Sequence, residues 1–434
     1  MIAIRRRVCS ILPEVSPISH DEYCEKYAGL RRKVYENARD SLDVRPLDRY
    51  DASLNCFLKA EKWTEWKAPR MISPRSPRFL LSMGVYISPL EHELYRAFKK
   101  MEGAPVIMKG LDQQARAAVA LSHWASFNDP VAVGLDASKF DQHTSAPALQ
   151  FEHGFYLKAY RNDAFLQKLC SMQLRNRCFA RAEDGKCKWT TDGGRMSGDV
   201  NTALGNCVLT ATMILAYAKI KGVRVRVMVD GDDCVVFMEK ADYAKFMDGL
   251  TAWYLNRGYP MKVEGPYMTP SEIEFCQSKL MMWDGQALFV RNPIKAINQD
   301  HTWVQRGGIS HREVLTATGL GGLSIYGDIP VLGAYYRMLA GNRRLSAKVA
   351  ARLDFRSSWL RWSVGGSKGY AAPTDAARVA FYETFGIHPS DQKDLEKIYL
   401  RSSVFTTQHF DANHINTPHY VQTQYRLSIL QSFR

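Results

Sequence analysis

The stretch VRVRVMVDGDDCVVFM, residues 223–238, sets three aspartates between two apolar runs. Asp-Gly flanked by alternating apolar residues is the strongest short signal for a tight β-hairpin. On that basis Val223, Val225, Val227 and Val229 face inward, Arg224 and Arg226 face out, and Asp230 and Gly231 turn the chain. A plain hairpin leaves Asp232 and Asp233 unexplained. They open the apolar run 234–238, where an ionised carboxylate is costly unless a cation or a metal stands beside it.

Metal-bridging carboxylates converge from distant parts of a chain, so a second strand ending in Asp is the feature to seek. VAVGLDASKFDQH supplies it: residues 131–135 read as a buried strand, with Asp136 at its C-terminal end. Alone, Asp136 is better explained as a strand-end or capping residue. Paired with Asp232, it becomes a candidate ligand for hard divalent cations, which take oxygen donors. Two such ions about 4 Å apart clamp the attacking and leaving oxygens of an in-line phosphoryl displacement, the chemistry of polymerases and nucleases. One lowers the pKa of a primer 3′-hydroxyl, and the other neutralises charge growing on a triphosphate.

Between the two acids lies DGGRMSGDVNTALGNCVLTATMILAYA, in which Gly193-Gly194 and Ser197-Gly198 form a flexible loop that feeds a helix. Thr202 and Asn206, four apart, share one face of it. An N-capped amphipathic helix with an internal polar pair explains this pattern; so does a loop-helix that contacts template backbone and brings Asn206 toward Asp141, near an incoming ribose. Upstream, LKAEKWTEWKAPRMISPRSPRF sets Lys59, Lys62, Lys67, Arg70, Arg75 and Arg78 among prolines and aromatics. Such a run is ordinarily a solvated basic face. Prolines stiffen this one, which suits it to a triphosphate.

The chain's 434 residues can bury a large core, and 58 Lys+Arg against 44 Asp+Glu give a net charge of +14, which favours a polyanionic partner such as nucleic acid. Nine scattered cysteines without zinc-type spacing read as reduced thiols. The N-terminus MIAIRRRVCSILPEV is too short and interrupted in its apolar part for a secretory signal, and no run reaches the roughly 18 uninterrupted apolar residues of a spanning helix. No repeat or clean linker appears, which argues for lobes packed into one body. Helices are expected at 91–100, from a Ser145 cap to about 161, and at 374–385, and the chain from about 283 reads as mainly helical.

Four segments together resemble the viral RNA-dependent RNA polymerases, most closely the tombusvirus-like group. GLDASKFDQHTS, with Asp136 and Asp141, looks like motif A, GRMSGDVNTALGN like motif B, Gly231-Asp232-Asp233 like motif C, and 59–78 like motif F. GYPMKVEG and EIEFCQSKL fit motifs D and E, so the resemblance runs over about 27–392, with fainter matches at 291–293 and in GGLSIYGDIPVL. It implies an α+β right-hand fold whose antiparallel palm sheet carries the Gly-Asp-Asp hairpin. The expected division is fingers at 1–128 and 145–192, palm at 129–144 and 193–282, and thumb at 283–434.

The resemblance further implies that Asp136, Asp232 and Asp233 hold Mg²⁺ or Mn²⁺, with Lys262 as general acid for pyrophosphate. It implies that Asp141, Ser197, Thr202 and Asn206 sense the ribose 2′-hydroxyl, and that Lys59, Lys62 and Arg70 hold the triphosphate. Arg75, Arg78 and Gly198 are expected on RNA, and Cys276, Gln277 and Ser278 under the primer strand. The expected activity is template-directed RNA synthesis from ribonucleoside triphosphates. Members of this group often carry a long N-terminal region for membranes or partner overlap, whereas this chain begins close to the polymerase body. Attachment to membrane replication sites in the host cytoplasm is therefore expected through a viral accessory protein or host factors. A reverse transcriptase would place a bulky aromatic at Asp141 and an aromatic-x-Asp-Asp in motif C. A non-catalytic RNA-binding or capsid-associated protein would use the charge but not the paired acids, which repel phosphate unless metals intervene.

Overall fold

The computed structural model describes residues 1–59, 61, 68–182, 185–302, 309–341, 345 and 369–402. Its strands, in chain order, are β1 (Leu54–Leu58), β2 (Met71–Ile72), β3 (Pro130–Ala137), β4 (Arg175–Ala182), β5 (Gly185–Asp192) and β6 (Arg226–Asp230). They continue with β7 (Asp233–Glu239), β8 (Met261–Tyr267), β9 (Glu274–Phe275), β10 (Ser278–Trp283) and β11 (Gln286–Arg291). Helices and antiparallel sheets together make an α+β protein.

The central sheet has the order β6-β7-β3-β8, antiparallel throughout. Side chains alternate across a strand, and here the alternation feeds two cores. Val131, Val133 and Leu135 of β3 join Val227, Val229 and Val236 on the face covered by the helix Thr202–Lys221. Ala132, Met228, Val235 and Phe237 face the other way, against Ala117 and Ala120 of the helix Gln113–Trp124. Both faces being buried, the strands read as continuous apolar runs, and the inward-outward alternation expected for 223–229 holds only in part. Met228 is buried, Arg226 half-buried, and the strand starts at Arg226.

Thr202–Lys221 is long and apolar enough, by length and composition, to cross a membrane, but 83% of its apolar window is buried inside the protein. It is a core helix apolar all round, where an amphipathic helix was one expectation. Two further sheets flank this centre. One has the order β2-β1-β4-β5, with β1 parallel to β4, and so joins residues 54–72 to 175–192. The other, β11-β10-β9, gives Met281, Trp283 and Val290 to an apolar core shared with the helices His311–Tyr326, Leu332–Ala340 and Asp375–Phe385.

The capped helices form where their caps predict. Ser145 accepts from the Ala148 amide at 3.4 Å before Ala146–Ala159, and Thr374 accepts from Ala377 at 3.1 Å before Asp375–Phe385. The helix expected at 91–100 is the end of a longer one, Pro77–Glu102, which Ser76 caps and which passes through Pro89.

Candidate active site

Asp230 pairs with Asp233 across β6 and β7, so Gly231-Asp232 is a two-residue turn. Gly231 has φ +77° and Asp232 does not share the positive sign, the pattern of a type II′ hairpin that needs glycine first. The Gly231 amide donates to Cys207 Sγ at 3.1 Å, tying the turn to the core helix. Next in the sheet, Leu135 pairs with Cys234, which brings Asp136 alongside the start of β7. The acids at the two strand ends thus gather at one end of the central sheet.

Their environments differ. Asp230 is enclosed by cations, with ion pairs to Lys109 and Arg116. The pairing of 106–108 with Val229 sets Lys109 there. Among the described residues, Asp136, Asp232 and Asp233 have no salt-bridge partner. Burial, then repulsion from Asp141 and Asp136, pushes the Asp232 carboxyl above its usual range. Asp233 has an open face yet stands among protein atoms; that crowding, followed by repulsion from Asp232, Asp136 and Asp230, pushes it up to about 6. Neighbouring acids that resist ionisation without a counter-charge suit a hard divalent cation. Among the described residues no three His, Cys, Asp or Glu side chains close around one ion by themselves. Ions of the Mg²⁺ class are usually held by one or two carboxylates plus substrate phosphates, so an open donor set fits that class.

Lys262 pairs with Asp136 across β3 and β8, which puts both side chains on one face. Its ammonium is exposed and hydrogen-bonded to Glu264 at 2.6 Å, and that bond, more than Asp136, raises its pKa. Asp141 follows β3 on the short helix Phe140–His143, reached through Lys139 at φ +52°. Asn206 Nδ2 donates to Asp141 Oδ1 at 2.8 Å, the approach expected from sequence. Thr202 donates its hydroxyl to Met196 O at 2.6 Å, and Ser197, exposed, accepts from the Ser73 amide at 3.4 Å.

The basic segment divides. Lys59 and Arg70 are exposed, share Glu61, and are joined by the Lys59 amide on Arg70 O at 2.8 Å. Lys62 lies outside the described residues, as does Lys67. Arg75 and Arg78, expected on RNA, are instead internal. The Arg75 guanidinium is wholly enclosed, with Nε on Asp199 Oδ1 at 2.7 Å, Nη2 on Asn176 at 2.7 Å and Nη1 on Ala52 O at 2.6 Å. Arg78 binds Asp51 at 2.9 Å, Ser41 at 2.6 Å and Arg45 O at 2.6 Å. Arg75 has spent its donors on the fold and Arg78 most of its own, which leaves little for phosphate. Gly198 is explained by packing, since a Cβ there would stand 2.5 Å from Pro74 Cα.

Cys276 and Gln277, at φ 51° and 60°, form a two-residue turn between β9 and β10, closed by Ser278 opposite Phe275. Gln277 is exposed, and the Cys276 thiol reaches Asp233. Ser278 is 4% exposed. Four residues were given no role from sequence: Lys109 and Arg116, which pair with Asp230, and Arg195 with its partner Glu152, where Arg195 bonds to Asn206 and to the Asp141 carbonyl. Arg195 lay inside a quoted motif, and Glu152 was a lone carboxylate in an apolar helix, the only signals either offered.

A sequence profile of viral RNA-dependent RNA polymerases matches residues 1–406. The chain belongs to that family. Similar proteins include the RNA-directed RNA polymerase of oat chlorotic stunt virus, 37% identical over 408 residues, covering 89% of this chain and 54% of that protein. The enzyme named likewise from melon necrotic spot virus is 37% identical over 404 residues, covering 91% and 51%. That of turnip crinkle virus is 38% identical over 409 residues, covering 91% and 52%. The chain spans about half the length of the curated relatives it matches.

Proposed function

We propose that this chain is the body of a right-hand polymerase that copies an RNA template from ribonucleoside triphosphates. The observation that carries this is the gathering of Asp136, Asp232 and Asp233, without an ion-pair partner among the described residues, at one end of the central sheet beside the Asp141–Asn206 pair. The central sheet is the palm, bearing the Gly-Asp-Asp hairpin within 129–144 and 193–282; fingers comprise 1–128 and 145–192, and the thumb 283–434.

Bound at these acids, Mg²⁺, with Mn²⁺ as the substitute, would lower the pKa of the primer 3′-hydroxyl and neutralise charge on the departing pyrophosphate. The chain's own groups do the rest. Asp136 and Asp232 are the ligands, with Asp233 beside them; Asp136 and Asp233 are fixed by strand pairing, and Asp232 by the tight turn between β6 and β7. Lys59 and Arg70 face solvent where a triphosphate can exchange for Glu61. Asp141 and Asn206 offer an acceptor and a donor to a ribose 2′-hydroxyl; Thr202 stands one turn before Asn206 on the same helix, and Ser197 lies in the loop that leads into it. Lys262 stands on the Asp136 face as proton donor to pyrophosphate. Gln277 and Cys276 support the primer strand. The net charge of +14 supplies a sequence-independent grip on phosphates. Membrane attachment in the host cytoplasm comes through a viral accessory protein or host factors.

The test is incorporation of labelled ribonucleotide on an RNA template, with and without primer. Asp136→Ala and Asp232→Ala each abolish incorporation while RNA binding and melting stay close to wild type. Synthesis retained in either variant removes that residue from the mechanism. Equal use of deoxyribonucleotides points to a reverse transcriptase, and binding without incorporation points to a packaging protein.

A further inference from the structure

The Asp141–Asn206 pair is held from behind by a buried ion pair. Arg195 Nη1 and Nη2 fork onto the two oxygens of Glu152, with side chains 1% and 0% exposed. The remaining Arg195 donor, Nε, reaches Asn206 Oδ1 at 3.0 Å, and the Arg195 main-chain amide donates to Asp141 O at 2.7 Å. Arginine has donors and no acceptor, so the atom of Asn206 facing it has to be the carbonyl oxygen. That fixes which way the amide points: its NH₂ group faces Asp141, where it donates to Oδ1. Among the described residues, one Asp141 oxygen and one Asn206 N–H keep no partner.

Glu152 is fixed in turn. Tyr156 donates its hydroxyl and Asn201 its amide, at 3.1 Å, to Glu152 Oε1. The core helix makes room for the pair at Gly205, where a Cβ would stand 2.3 Å from Glu152 Oε1 and 2.6 Å from Arg195 Nη1. A glycine in a helix costs up to about 1 kcal/mol relative to alanine, so its place one residue before Asn206 has this steric explanation.

We propose that the Glu152–Arg195 pair is a positioning element for sugar selection: by holding the Asn206 carbonyl it aims the amide so that Asn206 and Asp141 together recognise the ribose 2′-hydroxyl. This rests on the reading above that Asp141 and Asn206 meet the ribose. Without Arg195 the Asn206 carbonyl loses its donor and the amide can rotate, so the acceptor and donor no longer present a fixed pair to the hydroxyl. A deoxyribose has no group to lose, and its incorporation depends on the pair only through general folding.

The measurement is the ratio of kcat/KM for a ribonucleotide to that for the matching deoxyribonucleotide, on an RNA template and primer. The variants are Asn206→Ala, Glu152→Gln, and the double variant Glu152→Met with Arg195→Met. The double variant leaves no unpaired buried charge, and buried ion pairs replaced by apolar residues of similar size commonly keep their fold. A hydrogen bond to a charged group supports an expected fall in the ratio of about tenfold in Glu152→Gln and the double variant, through a higher ribonucleotide KM. Lower efficiency with both sugars and an unchanged ratio would mean a purely structural role and would overturn the proposal. If Asn206→Ala lowers the ratio and the double variant does not, the positioning role alone falls. If Asn206→Ala leaves the ratio unchanged, the ribose reading falls and this inference with it.

Discussion

Replacing Arg75 by alanine deletes one partner of an ion pair with no exposed surface on the arginine side. Asp199 then keeps one described donor, Gln173 Nε2 at 2.8 Å, and loses two bonds, from Nε at 2.7 Å and Nη2 at 3.2 Å. Asn176 Oδ1 and Ala52 O lose their donors as well. Breaking a buried pair on one side costs about 3–5 kcal/mol, a large share of the roughly 5–15 kcal/mol that keeps a typical protein folded. Lysine restores the charge, but one ammonium cannot span Asp199, Asn176 and Ala52 together, so Arg75→Lys recovers only part of the loss. Urea unfolding followed by tryptophan fluorescence reads this directly. Arg70→Ala is the contrast: that residue is exposed, so its removal changes stability by less than about 0.5 kcal/mol and shows instead as a raised ribonucleotide KM. If Arg75→Ala unfolds at the wild-type midpoint and loses RNA affinity, the assignment of Arg75 to the interior is wrong.

Gly205→Ala gains about 1 kcal/mol of helix propensity but drives a methyl into the Glu152–Arg195 pair, so the expected net effect is a loss of about 1–3 kcal/mol in the same unfolding assay. His123 is buried with Nε2 on Pro105 O at 2.8 Å, and burial pushes its pKa down to about 4 from 6.5. The folded state favours the neutral ring, so its contribution is whole above pH 6.5 and is lost as pH falls through 4. His123→Gln should therefore lose up to about 3 kcal/mol less than wild type between pH 7 and pH 4 in urea titrations, and parallel curves would refute this. Mg²⁺ at about a hundred times its Kd should stabilise the wild type by about 2.7 kcal/mol in thermal melts, and chelation should reverse it. The same addition should do much less for Asp136→Ala or Asp232→Ala; an equal gain in all three would place the ion elsewhere.

What the sequence could reveal was set by how far apart the deciding partners lie. The strand ending at Asp136, the turn at Gly231 and the caps at Ser145 and Thr374 depend on neighbours within a few residues, and each stands in the letters as a local pattern. The helix expected at 91–100 came out too short, since the helix from Pro77 runs through Pro89, with Leu81, Met83, Leu90 and Leu94 buried on either side. Arg75 and Arg70 are locally alike, both cations next to proline or near it. Their difference lies 124 residues away, in an Asp199 that encloses one, while the other meets a glutamate nine residues off and stays in water. Glu152, Arg195 and Asn206 show the same limit, since three separate elements supply one hydrogen-bonded unit. The Asp141–Asn206 approach was nonetheless foreseen as one of two readings of the loop-helix at 193–206, and the resemblance then gave the pair a role. For Arg75 it named a charge without saying which way that charge faced.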